Sequence, residues 1–351
     1  MYRRYYVPFF LSLVIFVLSC KDDNGSAQPK PVPEENEFRN PVLSSAPDPW
    51  VIRKDDWYYF THTTGNSIRL YRSRSISDLS KAEVKTVWTP PLMGMNSKNI
   101  WAPEIHFIND KWYFYYAADD GNNDNHRMWV LENTSADPFA GTWVDRGKLE
   151  LPEDRWAIDG TIFAHQDKLY FMWSGWEGTI NGRQDIYITT MTDPFTADGP
   201  RIKLSQPEHP WEKGGAPPEV NEGPQFIHHD DKMFITFSAS GCWTDQYTLG
   251  LLYASATDDI LDPASWIKFP EPVFRTNASG GAFGPGHNGF FKSPDGEEDW
   301  IVYHANNSSG LGCGNARSFR MQKFTWDENG FPVFGEPAPL NSPLQKPSGE
   351  N

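Results

Sequence analysis

Cysteine is scarce in this chain, with three in 351 residues, so disulfides cannot be the main framework of the fold. Basic residues are also in the minority. Lys and Arg number 31 against 46 Asp and Glu, for a net charge of −15. No run of Lys and Arg supplies the footprint that nucleic acid requires, so no nucleic-acid partner is expected. Long apolar runs are missing as well. The one candidate, residues 8–19, is too short to span a bilayer. No amphipathic helical period interrupts the rest of the chain, which sets helical classes aside. A calcium loop of the form D-x-[DN]-x-[DN]-G is absent too.

Aromatics and turn formers are abundant. Phe, Trp and Tyr make up 15% of the chain, with 15 Trp, beside 28 Gly and 29 Pro. Aromatic strands broken by frequent turns are the composition of an all-β protein.

The start of the chain, "MYRRYYVPFFLSLVIFVLSC", reads as a targeting segment. Arg3 and Arg4 precede the short apolar core, the layout of a signal peptide over residues 1–19. "VLSC" resembles a bacterial lipoprotein box, which implies a lipid on Cys20. The following "KDDNG" resembles an export signal to the cell surface. The expected location is therefore the outer membrane or cell surface, with the periplasm as the alternative. The lipid is the sole expected contact with membrane. Residues 20–37 are polar and Pro-rich and read as a flexible tether.

The remainder repeats itself. A polar residue, a short strand, a polar turn and an aromatic strand recur five times. The copies are "DPWVIRKDDWYYF", "EIHFINDKWYFYY", "DGTIFAHQDKLYFMW", "EGPQFIHHDDKMFITF" and "HNGFFKSPDGEEDWIVY". They open on Asp48, Glu104, Asp159, Glu222 and His287, with steps of 56, 55, 63 and 65 by subtraction. Further strand-like segments such as "IRLYRS" and "DIYITTM" follow, so each unit offers about four short strands. The pattern predicts an all-β, single-domain, five-bladed β-propeller over residues 38–345, with a tail at 346–351. A β-sandwich is the competing architecture.

In a propeller the innermost strands line a central channel. The five opening residues then share one radial position and converge on the axis. Carboxylates in a shielded cavity cannot all stay ionised, and their pKa values separate. Glycoside hydrolysis needs that separation, with one protonated acid and one ionised base or nucleophile. An acidic cluster can also hold calcium, and a structural Ca²⁺ in the central channel is the rival expectation.

The motifs "APDPW", "WAPEIH", "IDGTIF" and "NEGPQF", in this order, resemble those of the family 43 glycoside hydrolases. The resemblance implies an inverting mechanism with no required cofactor. It makes Asp48 the general base, Asp159 the pKa-modulating acid and Glu222 the general acid. The prolines on either side of Asp48 restrict it to extended backbone and hold the base still for an intervening water.

Weaker parallels put Trp101, Glu104, His287 and Arg317 in substrate binding. His287 resembles an axial His that takes a water or a metal ion. Arg317 resembles an Arg beside the acid and modulator, and Trp101 is expected at the pocket rim. The substrate implied is a plant polysaccharide or oligosaccharide. An exo-acting α-L-arabinofuranosidase fits best, with β-xylosidase and endo-arabinanase as alternatives. A non-catalytic glycan-binding lipoprotein is the rival from another class, but it would not need all three carboxylates. Cys242 and Cys313 each follow the second strand of neighbouring repeats, which predicts a disulfide between adjacent blades.

Overall fold

The computed structural model describes Met1 and residues 36–350. The targeting segment beyond Met1, Cys20 and all but the last two residues of the 20–37 tether lie outside the described residues. Among the described residues, no helix is long and apolar enough to cross a membrane.

Five antiparallel four-stranded arrays follow one another, the third and fourth joined by a short parallel pairing of Arg183 and Gln184 with Glu219 and Val220. The first contains Trp50–Lys54, Trp57–Thr61, Ile68–Ser73 and Glu83–Trp88. The second contains Lys98–Ile108, Lys111–Asp119, Arg127–Asn133 and Val144–Lys148. The third contains Ala157–His165, Lys168–Trp176, Arg183–Asp193 and Ile202–Ser205. The fourth contains Glu219–His229, Lys232–Ala239, Thr248–Ser255 and Ile267–Lys268. The fifth contains Phe283–Lys292, Asp299–Asn306, Ser318–Trp326 and Pro332–Val333. These are the blades of a five-bladed β-propeller, and the sandwich alternative falls away.

The aromatic second strands explain the architecture. In Lys111–Asp119, all residues after Lys111 are buried. Successive side chains on a strand point to opposite faces. Trp112, Phe114 and Tyr116 pack toward Tyr59, Ile68 and Leu70 of blade one. Tyr113, Tyr115 and Ala117 pack toward Phe171 and Trp173 of blade three. Both faces are therefore apolar, and the strand reads as a nearly continuous hydrophobic run. The same holds around the ring. Five separate core clusters occupy the five blade interfaces, in place of one central core. A chain of this length thus stays one unit without a single oversized core.

Two terminal segments join the ring. Glu37–Arg39 pairs antiparallel with Pro343–Gln345. The Asn40 side chain bonds the backbone of Met321 in both directions, at 2.8 and 3.1 Å. Residues 346–350 run from blade five to blade one. The Ser348 amide donates to Glu298 at 3.0 Å, and the Glu350 carboxylate accepts the Ser77 amide at 3.1 Å. Residues 348 and 350 of the segment read as a tail are thus tied to blades five and one.

Candidate active site

Each inner strand is kinked where it reaches the channel mouth. In blades two to five the pairing register shifts at the kink. One residue there has positive φ: Asp48 (+52°), Ala102 (+40°), Asp159 (+54°), Gly223 (+55°) and His287 (+46°). Left-handed backbone costs an ordinary L-residue about 1 kcal/mol or more. Asp48 is therefore not in the extended conformation expected before proline. Its surroundings fix it instead. The Asp48 amide donates to His304 Nδ1 at 3.1 Å, and the Thr63 amide donates to the Pro47 carbonyl at 2.9 Å.

These kinks correct the expected alignment of the five repeats. Asp48, Asp159 and His287 occupy the kink itself. Glu222 stands one residue before its kink, and Gly223 takes the left-handed turn in its place. Glu104 stands two residues beyond Ala102 and does not line the cavity. Its buried carboxylate accepts from Gln225 Nε2 at 2.6 Å and lies 2.9 Å from His106 Nε2. Gln225 holds the matching position in blade four, two residues after Gly223. Glu104 thus ties blades two and four together rather than facing a sugar.

The kinks open onto a cavity of about 370 Å³. Asp48, Asp159, Glu222, His287, Arg317 and Trp101 all line it. Arg317 Nη1 donates to Asp48 Oδ1 at 2.6 Å. The expected neighbours of Arg317 were the acid and modulator, but its hydrogen bond goes to Asp48. His287 Nδ1 lies 3.5 Å from Asp48 Oδ1 and 3.8 Å from Asp159 Oδ2. Asp159 Oδ2 accepts the Gly223 amide at 3.1 Å. The Tyr247 hydroxyl donates to Glu222 Oε1 at 2.8 Å. Trp101 stacks on His126, with ring centroids 4.0 Å apart.

The three carboxylates have different electrostatic settings. Burial pushes the Asp48 carboxyl up, but Arg317, the two imidazoles and the Thr63 hydroxyl outweigh it. They hold Asp48 well below the ordinary carboxylate range. Burial pushes Glu222 up to about 7, with the Tyr247 hydrogen bond opposing and the charge of Asp48 adding to the shift. Burial also raises Asp159, helped by the charges of Glu222, Asp48 and Glu104. Burial keeps His287 and His304 below their ordinary range. Near neutrality Asp48 is an anion, and the Glu222–Asp159 pair retains a proton.

The expected calcium has no ready cage. Among the described residues, no group of three or more His, Cys, Asp or Glu is arranged to hold a metal ion. Glu104 is already taken by Gln225 and His106. His287 faces the Asp48 and Asp159 carboxylates.

Several lining residues lie outside the five repeats, and of these only Arg317 carried a motif resemblance. Thr63, Asn123, Asn181, Trp243 and Arg317 all reach the cavity from the loop after the second strand of their blades. A rule that this loop always faces the channel mouth would have found them. Tyr247 closes the same loop as Trp243, whereas His304 gave no signal because it sits within the strand Asp299–Asn306. Cys242 and Cys313, in two such loops, are joined by a disulfide with Cα atoms 5.1 Å apart.

The chain is similar to known proteins over most of its length. It is 39% identical over 310 residues to an extracellular exo-α-(1→5)-L-arabinofuranosidase of Streptomyces avermitilis. That match covers 86% of this chain and 63% of the relative, so the chain spans less than two thirds of that protein. It is likewise 39% identical to an enzyme of the same name from Streptomyces chartreusis, covering 80% of this chain and 84% of the relative. The crystal structure of an α-L-arabinofuranosidase from Lactobacillus brevis superimposes with a TM-score of 0.82 at 36% identity. It covers 87% of this chain and 98% of its own. The family model for glycosyl hydrolases family 43 matches residues 38–332, and the chain belongs to that family.

Proposed function

We propose that this chain is an inverting, exo-acting α-L-arabinofuranosidase that trims plant arabinan or arabinoxylan glycans. One observation carries the reading: a single cavity holds a carboxylate kept anionic by Arg317 and a second carboxyl pushed up to about 7. A base and an acid are thereby available together at neutral pH.

The step is a single displacement. Asp48 takes a proton from a water as the water oxygen bonds to the anomeric carbon. The glycosidic C–O bond breaks on the opposite face, and Glu222 gives its proton to the departing oxygen. Asp159 modulates the acid: its charge state bears on Glu222, and the Gly223 amide between them holds it in place. Arg317 keeps the base ionised, and the bonds from the Asp48 amide to His304 and from the Thr63 amide to Pro47 fix its backbone. Trp101, backed by His126, offers an aromatic face to the sugar. No cofactor takes part.

The choice of arabinose over xylose is supported by the names of the relatives at 39% and 36% identity. The location proposed is the cell surface, through a lipid on Cys20. Both Streptomyces relatives are named extracellular, in keeping with export. The test is a panel of 4-nitrophenyl glycosides. Turnover of the α-L-arabinofuranoside should exceed that of the β-xyloside and the galactoside. A clear preference for the β-xyloside would overturn the assignment of the sugar.

A further inference from the structure

One cavity residue has no part in that mechanism. Trp243 lines the same space as Asp48 and Glu222, and 43% of it is exposed. An indole left in water on a mobile loop would be unremarkable, but this one is fixed. Its Nε1 donates to the Gly215 carbonyl at 3.1 Å. The ring lies against two glycines. A Cβ on Gly241 would fall 2.3 Å from the indole carbons, and one on Gly215 would fall 2.5 Å from Nε1. The preceding residue, Cys242, is bonded to Cys313 of the next blade. Backbone, glycines and disulfide together hold one indole face against the protein and leave part of the ring facing the cavity.

Its position relative to the chemistry follows from its loop. Tyr247, four residues on, donates to Glu222 Oε1 at 2.8 Å. The loop that holds Trp243 therefore also holds the proton donor, and the departing oxygen emerges on that side. An aromatic face there packs against the C–H face of a ring leaving the site, and its fixed geometry lowers the entropic cost of stacking.

We infer that Trp243 is the stacking platform for the leaving-group sugar, so the substrates the site favours are glycans whose departing unit is itself a sugar ring. The inference rests on the proposed hydrolysis and adds a residue for the side opposite the water. The disulfide acts as a positioning element for this platform.

The experiment compares two substrates with one glycosyl unit and different leaving groups. α-L-Arabinofuranosyl fluoride has no departing ring, whereas α-1,5-linked arabinotriose has one. In Trp243→Ala, kcat/KM for the trisaccharide should fall about ten-fold more than kcat/KM for the fluoride, the effect of losing an apolar contact of tens of Å². The excess should appear mainly in KM. Trp243→Phe should restore most of it, and fluoride hydrolysis reports that each variant is folded. Equal losses on the two substrates overturn the inference, since Trp243 would then only support the loop whose Tyr247 bonds Glu222. If the wild type cleaves xylosyl fluoride and xylotriose instead, the assignment of the sugar fails and the same ratio is read on that pair. A wild type inert on all four overturns both.

Discussion

Arg317, in the last blade, donates to Asp48, which opens the first, with 2.6 Å between Nη1 and Oδ1. The pair joins the two ends of the ring at the point where the proposed base must be ionised. Replacing Arg317 with Met removes the largest influence that keeps Asp48 low, so its carboxyl should rise. The acidic limb of kcat/KM should move to higher pH, and turnover should fall by about ten-fold or more. A pH–rate profile checks this. An unmoved acidic limb would show that Asp48 is not the group titrating there.

The alkaline limb should report Glu222. With its carboxyl raised to about 7, kcat/KM should decline as pH passes through that value. Tyr247 donates to the carboxylate and so favours the ionised form. Tyr247→Phe should therefore move the alkaline limb upward by a fraction of a pH unit to a full unit. A variant that is merely less stable would leave the limb where it was.

The same shift predicts a conflict between activity and stability. The folded pKa of Glu222 lies above its ordinary value of 4.5. The folded state thus binds the proton more tightly, and stability is lost as pH rises from about 4.5 through about 7. Glu222→Gln removes the buried titration and keeps an acceptor for Tyr247. Its Tm should exceed the wild-type value at pH 8 but match it near pH 4.5, while activity on natural glycans collapses. Thermal melts at the two pH values make the comparison.

The disulfide links residues 71 apart in sequence, across two blades. In the chain-entropy account a loop of that length is worth about 4 kcal/mol. Cys242→Ser with Cys313→Ser should lower the Tm by several degrees without dissolving the fold, because the five interface cores remain. A Tm that does not change would place the stabilisation elsewhere.

The repeat made the fold legible. Five copies of one hairpin imply radial symmetry, and the aromatic runs mark strands buried on both faces. The three carboxylates were legible through the motifs around them. Register was not. Aligning the first polar residue of each copy put Glu104 beside Asp159, whereas the kinks put Ala102 there. A strand has period two, so the two-residue offset of Glu104 keeps its face but moves it along the channel. There it meets Gln225 instead of a sugar. The low pKa of Asp48 was equally hidden, since Arg317 and His304 are more than 250 positions away in sequence. Such partners come together only when the ring closes.

The last prediction concerns stereochemistry. A single displacement by water on the face opposite the leaving oxygen inverts the anomeric carbon. The geometry that permits it separates the base from the acid by roughly 6.5–9.5 Å, against about 5 Å for a retaining pair. Proton NMR during the first minutes of hydrolysis should show the β-anomer of arabinose forming first from an α-arabinofuranoside. The variants should divide by leaving group. Asp48→Ala removes activation of water and should depress every substrate. Glu222→Ala removes protonation of the departing oxygen, so 4-nitrophenyl glycosides should suffer far less than natural linkages. Asp159→Asn should slow turnover and displace the alkaline limb, because its charge bears on Glu222. If the α-anomer appears first, the single displacement is wrong and Asp48 must attack carbon directly. If Glu222→Ala is equally impaired on aryl and natural substrates, the proton comes from another group.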